Sequence, residues 1–146
     1  MSKILITGGA GYIGANICKV LLNSGYEVRV YDDFSNGLKS RVEKMNLEII
    51  QSDILDRVKL IDAMDGIESV IHLAAKKSVE ESVENPLKYY LNNFSGTLNV
   101  LAAMSAKNVK RIIFSSTAVV YSSTSKDSLS EDDQKNLYRH MPRLSY

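Results

Sequence analysis

The chain has 146 residues, the length of one domain. Eighteen Lys and Arg stand against 17 Asp and Glu, a net charge of +1 that leaves neither a nucleic-acid binder's basic excess nor a membrane-surface field. With 45% apolar and 24% charged residues, wholesale disorder is excluded. The single cysteine, Cys18, can form neither an internal disulfide nor a cysteine zinc site. No secretory signal follows Met1, and no apolar run nears the ~20 residues of a membrane span. The expected setting is therefore a reducing cytoplasm, with no metal, no nucleic acid and no membrane partner.

Two periods alternate along the chain. Lys3-Ile4-Leu5-Ile6-Thr7 is a short apolar run that reads as a strand buried on both faces. The spacing predicts a helix over 12–24, its stripe formed by Ile13, Ile17, Val20 and Leu21, with Gly25 as its stop. Tyr26–Tyr31 and Leu47–Gln51 are the second and third strands. A helix follows over 56–64, with Asp56 as N-cap and Asp65-Gly66 as its end. Glu68–Leu73 is the fourth strand. A long helical stretch then has Pro86 near its start and carries Leu87, Tyr90, Leu91, Phe94, Leu98, Leu101 and Met104 as far as Asn108. Arg111–Ser115 is the fifth strand. Strands joined by helical crossovers predict a doubly wound parallel α/β sheet, Rossmann-like, with 1–121 as the nucleotide-binding domain. Residues 122–146 lack a period and read as a weakly ordered tail.

Thr7-Gly8-Gly9-Ala10-Gly11-Tyr12-Ile13-Gly14 joins the first strand to the first helix. Gly8 permits the tight turn, Gly11 clears the approach to a pyrophosphate, and Gly14 allows close packing against the sheet. The helix start offers its amides and positive dipole end to the phosphates. Asp32 closes the second strand 18 residues after Gly14. A carboxylate there accepts the adenosine ribose hydroxyls and repels a 2′-phosphate, favouring NAD over NADP. It could equally serve as a turn or cap residue, and the adjacent Asp33 could share either task.

With these residues in register, the chain resembles the extended short-chain dehydrogenases/reductases, in particular the UDP-glucose 4-epimerases. Tyr31–Asn36 resembles their acidic second-strand end, with Asp32, Asp33 and Asn36 near the ribose. Ser52-Asp53-Ile54 resembles the segment whose Asp and following residue lie at the adenine; Asp53 could alternatively cap the next helix. His72-Leu73-Ala74-Ala75-Lys76-Lys77 resembles the stretch beneath the nicotinamide. There Leu73, Ala74 and Ala75 line the cofactor, and Lys77 contacts ribose or substrate unless it is merely solvated. Glu81–Asn93 with Gly96-Thr97 resembles the family's ESVxxPLxYYxNNxxGT helix, the strongest pointer to the epimerases. Phe114–Tyr121 resembles the FSS[ST]AxVYG segment, where Ser115 is at the cofactor and Thr117 at the reacting oxygen. His72 has no chemical role in that pattern and reads as a satisfied core histidine. Asn92, a poor helix former, is expected to turn its amide to a loop or the cofactor. The aromatic pair Tyr89-Tyr90 and the Leu91, Leu98, Leu101 line read as core or homodimer packing.

The resemblance implies a hydride loan. A tyrosinate takes the proton of the sugar 4-hydroxyl while NAD accepts hydride from carbon 4; the 4-keto sugar turns and regains the hydride on its other face. A lysine four residues after the tyrosine lowers its pKa from the usual ~10. None of the eight tyrosines here has such a lysine. Tyr146 is the candidate for the catalytic position, 29 residues after Thr117. The expectation is an NAD-dependent UDP-sugar 4-epimerase in truncated form, inactive alone, incomplete on the C-terminal side and without its substrate domain. The alternatives are a non-catalytic nucleotide-binding module and, less favoured by Ala118-Val119 after the threonine, a sugar-nucleotide dehydratase. The fifth strand is expected to form an open sheet edge.

Overall fold

The computed structural model describes residues 2–116 and Ser130. The candidate catalytic Thr117 and Tyr146 lie outside the described residues, as does the expected 122–146 tail apart from Ser130.

Five short strands carry the fold: β1 (Lys3–Thr7), β2 (Glu27–Asp32), β3 (Glu48–Gln51), β4 (Ser69–His72) and β5 (Arg111–Phe114). All pair in parallel, in the order β3-β2-β1-β4-β5. A chain that lays strands outward on one side of β1 and then returns to its other side makes a doubly wound, Rossmann-like sheet. The switch point lies between β1 and β4.

Side chains alternate along β1, so each face of the sheet has its own core. Leu5 joins Tyr31, Leu60, Met64, Val70, Val100 and Met104 on one face. Ile4 and Ile6 join Cys18, Val28, Val30 and Val42 on the other. Helix α1 (Tyr12–Asn23) covers the second face, and α2 (Arg57–Ala63) packs with α5 (Gly96–Ala106) over the first. Asp56 caps α2 as expected, accepting from the Lys59 amide at 3.1 Å. β5 pairs with β4 alone among the described residues and forms an exposed edge.

Two expectations change. The core side of α1 is not the Ile13–Val20 stripe. Ile13 and Val20 are exposed, while Gly14, Ala15 and Cys18 are buried, with Ile17 and Leu21 partly so. Small residues let the helix axis approach the sheet, and bulky ones fall outside. The long helical stretch is also interrupted. Helix α3 (Val79–Glu84) is capped by Ser78 and stops at Asn85, because Pro86 disfavours αR geometry in the residue before it. Helix α4 (Pro86–Tyr89) restarts with that proline in its first turn, widens into a π turn over Tyr90–Ser95, and continues as α5. Lys107 closes α5, followed by Asn108 in the left-handed region.

Candidate functional site

The candidate loops collect at one edge because parallel strands end together. Gly8–Gly14 follows β1, Asp32–Asn36 closes and follows β2, and Asp53-Ile54 follows β3. Leu73–Lys77 follows β4, and Ser115 follows β5. This carboxyl edge, at the switch point, is where open α/β sheets bind ligands.

The glycine loop is held from three sides. Gly8 (φ +72°) donates to the Tyr31 carbonyl, and a Cβ on it would stand 2.7 Å from the Ala74 nitrogen. A Cβ on Gly9 would meet both Val30 methyls at 2.8 Å, and one on Gly14 would meet the Gly8 carbonyl oxygen at 2.5 Å. Nothing but that same Gly8 oxygen, at 3.2 Å, faces the Cβ position of Gly11. Gly11 is also the N-cap of α1. No side chain caps the helix and no acid stands in its first turn. The first amides of α1, at Tyr12, Ile13 and Gly14, cannot find partners within the helix. With the helix dipole they form a ready anion seat. Tyr12 and Ile13 are exposed beside it. A groove of about 430 Å³ runs from these two residues along the outer face of α1, away from the sheet edge.

Asp32 is buried, and both its carboxylate oxygens are engaged. Oδ2 accepts from the Ala10 amide at 2.9 Å and Oδ1 from the Phe34 amide at 2.8 Å. The second bond holds Phe34 at φ 58°, a conformation uncommon outside glycine. A carboxylate has about four acceptor positions, so Asp32 splices the loop to β2 and keeps capacity for further donors. Asp33 is exposed; its Oδ1 accepts from both the amide and the hydroxyl of Ser35. Asn36 is exposed. Asp53 is exposed as well, and its Oδ1 turns to the Leu55 amide. Ile54 is a core residue against Gly96, and Asn99 donates to its carbonyl.

On the other side of β1, Thr7 Oγ1 lies 2.6 Å from His72 Nδ1, and Thr97 Oγ1 lies 2.9 Å from His72 Nε2. The Thr97 hydroxyl donates to the Asn93 carbonyl at 2.6 Å. That fixes the protons: Nε2–H donates to Thr97, and bare Nδ1 accepts from Thr7. Burial pushes the His72 pKa down to about 4, so the ring is neutral. His72 is a satisfied core histidine, as read from the sequence. Ala75 and Lys77 are exposed on the loop beyond it, and the Ser115 amide donates to the His72 carbonyl.

Asn92 is buried, and its amide donates to Asn93 Oδ1 at 2.9 Å. Asn93 is the residue that reaches the loop, through both atoms of its carboxamide. Sequence reasoning passed over it, and over Thr7 and Thr97. The signal was present in the doubled asparagine, since two poor helix formers side by side in a helix call for a tertiary partner. Among the described residues no cluster of His, Cys, Asp and Glu could hold a metal, and no helix is long and apolar enough to cross a membrane.

Residues 4–145 match the model of the NAD dependent epimerase/dehydratase family. The chain belongs to that family. It is 45% identical over 137 residues to the UDP-glucose 4-epimerase of Bacillus subtilis, a match covering 88% of this chain and 40% of that enzyme. Its fold matches the UDP-glucose 4-epimerase of Brucella ovis in complex with NAD (TM-score 0.82, 38% identity, 93% of this chain and 42% of that one). It likewise matches the enzyme of Stenotrophomonas maltophila with bound NAD and formylated UDP-arabinopyranose (TM-score 0.83, 35% identity, 93% and 43%). This member of the epimerase/dehydratase family thus spans about two-fifths of the length of these relatives.

Proposed function

We propose that this chain binds NAD across the carboxyl edge of its sheet and forms the cofactor-holding part of a UDP-sugar 4-epimerase. The observation that carries the reading is the α1 N-terminus, which has no side-chain cap and opens at the switch point beside the Asp32 carboxylate. The amides of Tyr12, Ile13 and Gly14 take the pyrophosphate, with Gly8 and Gly11 leaving room for its approach. Asp32 and Asp33, with Asn36, take the adenosine ribose, and Asp53 and Ile54 border the adenine. Leu73, Ala74, Ala75, Lys77, Asn92 and Ser115 line the nicotinamide half. When bound, NAD supplies the hydride acceptor and donor for carbon 4 of the sugar. Thr117 is assigned to bond the reacting oxygen and Tyr146 to exchange its proton. The relatives that carry NAD and a UDP-sugar derivative support the choice of cofactor and substrate class.

A second reading has its own support. None of the seven tyrosines that precede Tyr146 is followed by a lysine four positions on. A module that binds the dinucleotide without turning over a sugar would use the same edge. Millimolar NAD should raise the melting temperature of the folded chain, more than NADP does; no shift with NAD would overturn both readings. A chimera that joins this chain to the remaining part of a 4-epimerase relative separates them: turnover of UDP-galactose supports the first reading, and none supports the second.

The exposed face formed by Leu87, Tyr90, Leu91, Phe94, Leu98 and Leu101 is assigned to a second copy in a homodimer.

A further inference from the structure

Between β4 and α3 the chain runs through Leu73–Ser78 without regular structure. Its ends are tied down: the Leu73 amide donates to the Thr7 carbonyl, and Ser78 caps α3. Its middle is held by the Asn93 side chain. Asn93 Oδ1 accepts from the Lys76 amide at 2.8 Å, and Asn93 Nδ2 donates to the Lys76 carbonyl at 2.9 Å. Both bonds need this orientation of the carboxamide, so the pairing admits no flipped alternative. Asn92 donates to the same Oδ1 from behind. The Asn93 carbonyl receives Thr97, which ties the clamp through His72 to Thr7 at the end of β1. The clamp sits in a π turn, a geometry that is rare and concentrated at functional sites.

In a doubly wound sheet the two halves of a dinucleotide lie on opposite sides of the switch point. Asp32 belongs to the β2 side and Lys76 to the β4 side. We infer that Asn93 is a positioning residue: its two-bond clamp on Lys76 sets the Leu73–Ser78 loop against the nicotinamide half of the dinucleotide, while the adenosine half is held independently. This inference rests on the NAD reading above.

ADP-ribose, which is NAD without nicotinamide, isolates the role. NAD and ADP-ribose are titrated by calorimetry into the wild-type chain, Asn93→Ala and Asn93→Asp. In Asn93→Ala, NAD should weaken about fivefold or more, the scale of one lost net hydrogen bond, while ADP-ribose stays within about twofold. Asn93→Asp keeps the acceptor for the Lys76 amide and loses the donor, so it should fall between. It also serves if the alanine variant does not fold. Hydrogen exchange at the Lys76 amide should quicken in both variants. Equal weakening of the two nucleotides, an unchanged ratio, or unchanged Lys76 exchange would overturn the positioning role. If the wild type binds neither nucleotide, the NAD reading falls first and takes the inference with it.

Discussion

Thr7 on β1 donates its hydroxyl proton to His72 on β4 across 2.6 Å, closing the two strands at the switch point. The acceptor nitrogen is available only while the imidazole is neutral. Burial lowers its pKa from 6.5 to about 4. Below 6.5 the unfolded chain binds a proton that the fold refuses, so this group's contribution is complete at pH 7 and is lost as pH falls toward 4. The full loss is about 3 kcal/mol. Urea midpoints should drop between pH 7 and 5 more steeply in the wild type than in His72→Gln. Parallel profiles would contradict the neutral ring.

Gly8 cannot become alanine without moving the loop that follows β4. Its φ is +72°, and the added methyl would meet the Ala74 nitrogen at 2.7 Å and the Leu73 carbonyl carbon at 2.9 Å. The left-handed conformation and the overlap together should cost about 3 kcal/mol or more. Thermal unfolding of Gly8→Ala checks this, and any folded fraction should bind NAD poorly.

Asp32→Asn tests a carboxylate with two duties. Oδ1 and Oδ2 each accept a backbone amide, and an asparagine can satisfy only one of them. A loss of about 1–3 kcal/mol in stability is expected from the unsatisfied amide. NAD should weaken about tenfold or more beyond that, as a charged acceptor for the ribose disappears. Calorimetry below the melting transition separates the two effects.

The α4–α5 face should hold two copies together. Phe94 is 63% and Leu98 50% exposed. Placing a charge there, as in Phe94→Glu or Leu98→Glu, should shift sedimentation toward monomer without lowering the melting temperature of the monomer. A monomeric wild type would refute the assignment.

The sheet was legible because its strands are short apolar runs with glycine or acidic ends, and because β1, buried on both faces, has no polar alternation. The glycine loop and Asp32 were legible because backbone geometry leaves few choices there. Hydropathy failed where distance matters more than affinity. Gly14, Ala15 and Cys18 face the core of α1 because they are small, whereas Ile13 and Val20 look like core and are not. The helical stretch ending at Asn108 left two readings open, core or dimer packing. Tyr90, Leu91, Leu98 and Leu101 stay exposed in the single chain, which favours the second. Asn93 escaped because a π turn depends on a partner some 17 positions away, which no local period encodes.

Gly9 rests on Val30, Gly14 on Gly8, and the Ala10 carbonyl takes the Leu38 amide while its own amide is fastened to Asp32. The corner that would receive a diphosphate is thus cast by the same hydrophobic core that makes the protein fold. A guest arriving there finds little chain left to immobilise, so association should be fast and should carry almost no penalty of ordering. Loosening this corner means melting the sheet beneath it.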